Sequence, residues 1–164
     1  MPDDLRLRPA TREDAATIVD LIRGLAEYER DPDAAVVTEA DVLRDGFGER
    51  PLFEVVIAGW KGEAAGFALF FHNWSTWQGR AGLYLEDLFV RESHRGLGIG
   101  KALLVHLAGV AVERGWGRFV WQVLDWNKPA IDFYEALGAT HMKEWQTMRV
   151  EGEALRRLAG TRLP

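Results

Sequence analysis

The sequence predicts an α/β protein with a mixed β-sheet, in the element order β-α-α-β-β-β-α-β-α-β. Apolar residues recur at helical spacing between residues 18 and 28, and they alternate at strand spacing from 52 to 90. A strand, a glycine-rich stretch, a helix and another strand then follow in succession over residues 82–124. With 164 residues, 48% of them apolar, the chain is long enough to bury the core of a single domain spanning 1–164.

The first three elements are predicted from helix-start signals and spacing. Leucines alternating with arginines predict a strand over residues 5–9. A Thr-x-x-Asp capping-box pattern at 11–14 predicts the start of a helix that runs to Tyr28. The same pattern at 38–41 predicts a shorter helix that ends at the glycines of 46–48.

The other elements are predicted from the change of the hydrophobic period from helical spacing to two, and from Gly and Pro residues that mark the ends of elements. Three antiparallel strands are predicted at 52–58, 65–71 and 82–90. The rest are a helix from about 98 to 114, a strand at 119–124, a helix from Pro129 to Gly138, a strand at 145–150 and a helix at 153–158.

Composition excludes several classes of function. The net charge of −5 argues against a nucleic-acid binder, which needs clustered Lys and Arg. Without cysteine there is no disulfide, no thiolate metal site and no cysteine-linked acyl-enzyme. A charged N-terminus, the lack of any long apolar run and the absence of histidines at metal-ligand spacing predict a cytoplasmic protein that uses neither membrane nor metal.

The stretch RGLGIGKALL, residues 95–104, predicts an anion site. It is not a phosphate loop, because the first glycine and the final Ser or Thr of that motif are missing. It is not a dinucleotide fingerprint either, because the last glycine of that motif is missing. Alternate glycines before a helix let backbone amides converge on an anion, and Arg95 and Lys101 add charge suited to two linked phosphates. The alternative is a tight turn whose cations are only solvated.

Two adjacent acids, Glu86 and Asp87, lie inside the apolar strand that precedes this loop. Adjacent residues of a strand point to opposite faces, so one acid is expected to face the cleft that the sheet lines. A carboxylate there would attract a cation or act as a base. The alternative is that both acids are in water at a sheet edge, or that one is in an internal ion pair.

The order of elements, the RGLGIGK loop and the segment DWNKPAIDFYEALGA make the sequence similar to the GNAT superfamily of acetyl-CoA-dependent N-acetyltransferases. IRGLAEYE, DGFGERP, YLEDLFV and EGEALRRLAG resemble its diamine acetyltransferase group. STWQGR and VLDWN resemble the thialysine-acetylating branch more than the spermidine/spermine branch. The resemblance implies the GNAT fold with a splayed sheet, direct transfer from acetyl-CoA to a small primary amine, and a homodimer.

The resemblance also assigns residues by position. Tyr134 would protonate the departing thiolate beside the cofactor, and Glu86 would bind the amine and relay its proton. The implied cofactor contacts are Leu88, Phe89, Val90, Arg95, Gly96, Leu97, Gly98, Ile99, Gly100, Lys101, Asn127, Lys128 and Pro129. The implied substrate wall is Tyr28, Glu29, Ser75, Thr76 and Glu144. The Leu88 amide is also the expected donor to the oxyanion.

This chain departs from the group at three places. Ser75 and Thr76 replace an acidic residue before Trp77, one residue is inserted near Ala81, and the segment before Trp145 is shorter. Long polyamines are therefore expected to bind less well than a lysine-like amine. Two other functions remain open: a non-catalytic acyl-CoA sensor, and a generic phosphate-binding domain that uses only the glycine loop.

Overall fold

The computed structural model of the chain describes residues 4–161. The chain divides into two compact units after Gln122. The strands are β1 Leu5–Pro9, β2 Glu54–Trp60, β3 Glu63–Ser75, β4 Arg80–Val90 and β5 Phe119–Trp121. The α-helices are α1 Ala15–Tyr28, α2 Glu39–Phe47, α3 Ile99–Glu113, α4 Lys128–Ala136 and α5 Gly152–Ala159. Within the described chain, no helix combines the length and the apolar character needed to cross a membrane.

The first unit is built on a five-stranded sheet in the order β1-β2-β3-β4-β5. β1 to β4 are antiparallel neighbours, whereas β5 runs parallel to β4. The parallel pairing covers only Leu83 to Leu85, so the edge of β4 beyond Leu85 has no partner strand in the part of the chain that the structure describes. The predicted splayed mixed sheet is confirmed.

Helices cover both faces of this sheet. Ile18 of α1 packs in one buried cluster with Phe67 and Leu69 of β3. Phe70, the next residue, points to the other face, where it lines a cavity together with His106 and Val110 of α3. Burial on both faces explains why β2 and β3 have nearly continuous apolar runs instead of a clean alternation.

The strand predicted at 145–150 is wrong. These residues form no strand, and Trp145 and Met148 are 68% and 90% exposed. β5 also ends at Trp121, although the apolar pattern extends to residue 124. An alternating pattern gives a strand only where a neighbouring backbone accepts its hydrogen bonds, and none of the residues described pairs with this segment.

The capping pattern at residues 11–14 starts a short 3-10 turn, Arg12–Asp14, that continues directly into α1. The Asp14 carboxylate accepts a hydrogen bond of 2.7 Å from the Thr11 amide. It also accepts two hydrogen bonds of 2.7 Å from the guanidinium of Arg8 on β1. The hydrogen bonds from Arg8 are the main reason that the pKa of Asp14 falls from 3.8 to about 2. One carboxylate therefore joins β1 to the start of α1.

We expect Asp14→Asn to lower the free energy of unfolding at pH 7 by about 1–2 kcal/mol, a value limited by solvent around the half-exposed Arg8. The folded pKa is depressed, so this stabilisation is complete above about pH 4 and is lost as the pH falls toward 2. Urea unfolding at several pH values measures it. The exposed capping residue Asp41 is the control, and Asp41→Asn should cost less. A loss that does not vary with pH would contradict the assignment.

Candidate active site

A β-bulge in β4 sets the direction of its acidic residues. β3 and β4 pair Leu69 with Asp87, and the next residue of β3, Phe70, pairs with Leu85. Glu86 is left without a partner, so the strict alternation expected for Glu86 and Asp87 breaks here. Asp87 shares the α1 face of the sheet with its partner Leu69.

The bulge brings Asp87 to the same face as Tyr84, although the two residues are three positions apart. Tyr84 pairs with Phe71, and their rings stack with centroids 5.1 Å apart. Burial, and then the charge of Glu86, raise the pKa of Tyr84. The α1 face of β3 and β4 therefore presents an aromatic pair and the carboxyl group of Asp87.

Asp87 is the most perturbed carboxyl group of this face. Burial, together with the charges of Glu86 and Glu29, raises its pKa from 3.8 to about 7. Burial also raises the pKa of Glu29, which follows the last turn of α1. Glu86 itself is exposed. The charges of Glu86 and Glu29 both act on Asp87, and a cationic ligand would offset this repulsion.

The edge of β4 next to these acids offers unpaired backbone. The Arg91 amide donates to the Ala65 carbonyl of β3, at 2.8 Å. Alternation then directs the amides of Phe89 and Asp87 to β3 as well, and those of Leu88 and Val90 to the opposite edge. That edge is the one β5 leaves open beyond Leu85, so an extended ligand could add to the sheet here.

The glycine loop that follows β4 fits a diphosphate. Gly96 and Gly98 have φ of 78° and 79°, and a Cβ on either would have no protein atom within 4 Å. The first hydrogen bond of α3 runs from the Ala102 amide to the Gly98 carbonyl, so the amides of residues 99–101 have no acceptor within the helix. Exposed amides at a helix start, with the exposed Lys101 beside them, are suited to bind anions.

Arg95, at the start of this loop, is already engaged by the protein. Its Nε donates to the Val90 carbonyl at 3.2 Å. Its guanidinium carbon lies 4.5 Å from the centre of the Tyr28 ring, at the end of α1. Arg95 thus joins the end of β4, the start of the loop and the end of α1.

Two of the expected substrate residues, Ser75 and Thr76, lie at the β3–β4 turn and differ in exposure. Ser75 is 3% exposed, and its hydroxyl oxygen accepts a hydrogen bond from the Gln78 amide, which stabilises the turn. Thr76 is exposed. Ala81, near the insertion, pairs regularly with Trp74, and the bulge of β4 lies further along the strand, at Glu86.

The second unit holds the remaining expected site residues. The side chain of Asn127 caps α4 by accepting a hydrogen bond of 3.4 Å from the Ala130 amide, and Pro129 occupies the first turn. Lys128 forms an ion pair of 2.7 Å with Asp132. The ring of Tyr134 lies 5.5 Å from that of its neighbour Phe133.

Glu144 lies in an exposed turn of the second unit. In the structure, Asp87 is half-buried and Glu86 is exposed. The sequence interpretation found both acids of β4 but, on the resemblance, assigned the amine and its proton to Glu86. It also passed over Tyr84 as a site residue. The only sequence signal for Asp87 and Tyr84 was their position in the apolar run GLYLEDLFV. The bulge that brings them to one face has no reliable signature in the local sequence.

The fold and this site define an N-acetyltransferase, an enzyme that transfers acetyl groups to amines. A profile of the Acetyltransferase (GNAT) family matches residues 18–139. The chain belongs to this family.

Individual proteins similar to this chain show which members of the family it resembles. A thialysine N-epsilon-acetyltransferase of Bos taurus is 41% identical over 94% of this chain and 96% of that protein. A spermidine/spermine N(1)-acetyltransferase-like protein 1 of Homo sapiens is 34% identical over 93% of this chain and 23% of that protein. An integron cassette protein from the mobile metagenome of V. cholerae is 28% identical with a TM-score of 0.82, over 96% of this chain and 99% of that one. The resemblance read from the sequence is confirmed.

Proposed function

We propose that this enzyme transfers the acetyl group of acetyl-CoA directly to the primary amine of a small diamine or lysine-like substrate, with thialysine favoured. The observation that carries the proposal is the half-buried Asp87, with Glu29 and Glu86, beside the open edge of β4. The 41% identity to an enzyme named for thialysine supports the choice of acceptor. The absence of cysteine excludes a cysteine-linked acyl-enzyme.

The glycine loop and the open edge of β4 are the proposed cofactor site. Acetyl-CoA supplies the activated acetyl thioester. The amides of residues 96–101 and the charge of Lys101 would hold its diphosphate. The edge formed by Leu88, Phe89 and Val90 would hold its extended arm, with the Leu88 amide as donor to the acetyl oxygen. On the resemblance alone, Asn127, Lys128 and Pro129 are further cofactor contacts.

The acidic cluster, Glu29, Glu86 and Asp87, would bind the charged amine and accept its proton. An alkylammonium with a pKa of about 10.4 has no lone pair, and freeing one at pH 7 costs roughly 4–5 kcal/mol. The resemblance assigns the proton relay to Glu86. We propose instead that the half-buried Asp87 carboxylate, with a pKa of about 7, accepts the proton, while Glu29 and Glu86 attract the ammonium. On the resemblance alone, the Tyr134 phenol donates the proton that the departing thiolate needs.

The β3–β4 turn is proposed to set the length of the acceptor. Ser75 and Thr76 stand where long polyamines would meet an acid, and Ser75 is turned into the protein. A spermidine-sized cation therefore finds one charge fewer here. Glu144 is kept as a proposed contact from the resemblance.

The test is release of free thiol from acetyl-CoA in the presence of thialysine, lysine, ornithine, putrescine or spermidine. We expect turnover, with kcat/KM for thialysine about 10-fold or more above that for spermidine, since one small contact is worth ~1–3 kcal/mol. Binding of the coenzyme with no turnover of any amine would indicate a sensor module. Binding of ATP without acetyl-CoA would indicate a generic phosphate-binding domain.

We also propose a homodimer in the cytoplasm, as the resemblance implies. Light scattering coupled to size-exclusion chromatography checks the first point, because it gives the mass directly. Twice the chain mass of 18.5 kDa is expected, and a single chain mass would contradict the proposal.

A further inference from the structure

Arg95 makes two contacts with the protein itself, beyond those that phosphate binding would require. Its Nε donates to the Val90 carbonyl, and its guanidinium lies over the ring of Tyr28. No carboxylate in residues 4–161 lies within 4.0 Å of it. A guanidinium has five donors, so the hydrogen bond to Val90 leaves others for an anion at the loop.

Tyr28 is the last residue of α1, and the carboxyl of the next residue, Glu29, acts on Asp87. The chain turns sharply just after this point, because Arg30 has a φ of 65°. The Tyr28 ring and the Glu29 carboxyl thus belong to neighbouring residues at the end of α1. Arg95 supplies a contact to that ring from another part of the fold.

We propose that Arg95 is a positioning residue: through its contact with Tyr28, it couples anion binding at the glycine loop to the placement of Glu29 in the amine site. The inference rests on the proposed function. An anion at the loop restrains the guanidinium, and the guanidinium restrains Tyr28. Coenzyme and amine should therefore each bind more tightly when the other is present, by the same factor.

The test is calorimetric titration of thialysine with and without coenzyme A, which yields a coupling factor without any turnover. In the wild type we expect the amine to bind about 3- to 10-fold more tightly when coenzyme A is present, the range set by one cation–π contact. Tyr28→Leu should bring the factor close to 1, with the affinity for coenzyme A alone changed less than twofold. Tyr28→Phe keeps the ring and should keep the factor.

Arg95→Lys keeps the charge but loses the planar contact with the ring. It should therefore reduce the coupling factor more than it reduces the affinity for coenzyme A. Arg114→Lys is the matched control, because Arg114 lies 4.9 Å from the centre of the Trp116 ring, outside the site. It should leave the factor at its wild-type value. In the double variant of Arg95→Lys and Tyr28→Leu, the losses should coincide rather than add.

The inference is overturned if Tyr28→Leu keeps the wild-type factor, or if the two single losses add in the double variant. It is also overturned if the wild type binds both ligands independently while it still turns over amines. That last result leaves the proposed function standing. If the wild type binds neither coenzyme A nor amine, the proposed function fails instead.

Discussion

Asp87→Asn is expected to lower kcat/KM for the amine by about 100-fold or more at pH 7.5, while coenzyme A binds within about twofold of the wild type. A positioned general base is worth about 10²–10⁴ in rate, and an amide in the same place accepts no proton. Steady-state kinetics with thialysine and calorimetry with coenzyme A measure the two effects.

The pH profile separates this role from a purely structural one. The pKa of Asp87 is about 7, so its carboxyl is protonated, and cannot act as a base, below that pH. Activity of the wild type should fall with an inflection near pH 7, and Asp87→Asn should lack this inflection. Glu86→Gln is the matched control: Glu86 is exposed, so we expect a higher KM for the amine. The inflection should remain but move to lower pH, because the charge of Glu86 raises the pKa of Asp87. An unchanged profile in Asp87→Asn would rule out Asp87 as the base.

Stability should change in the opposite direction from activity. The pKa of Asp87 is raised in the fold, so its ionisation opposes folding, and stability falls as the pH rises from about 4 through 7. Asp87→Asn removes that charge beside Glu29 and Glu86. We therefore expect the variant to melt at a temperature equal to or above that of the wild type at pH 8. A carboxylate kept at such a site despite its cost is typical of a functional group.

Gly98→Ala is expected to weaken the binding of coenzyme A about 10- to 100-fold. The added Cβ meets no protein atom within 4 Å, and on the proposed function it would meet the diphosphate held at the loop. The φ of 79° also costs a non-glycine residue about 1–2 kcal/mol. Calorimetry gives the affinity, and thermal unfolding gives the cost in stability.

Gly115→Ala is the control for backbone strain. Gly115 has a φ of 68° and the same open surroundings, and it follows the far end of α3. It should lose similar stability and keep full affinity for coenzyme A. Equal losses of affinity in the two variants would show that strain, and not the loop surface, determines binding.

The elements that the sequence predicted well depend on neighbours in the chain. The capping pairs at 11–14 and 38–41 started their helices as predicted, because the bonds join residues three positions apart. The glycine loop could be predicted for the same reason, since its amides and the first turn of α3 are adjacent. The strand predicted at 145–150 failed because a strand depends on a partner that its own residues do not specify.

By itself, the sequence determined the order of the elements as far as α4, the glycine loop between β4 and α3, and the presence of an acidic pair in β4. Only the tertiary structure decided that Asp87 is the less exposed acid, because a bulge against β3 places it on the α1 face, where it interacts with Glu29, which is distant in the chain. It alone placed Arg95 against Tyr28. The physical reason is that burial and charge interactions depend on distances in space, whereas caps and turns form between residues that are close in the chain.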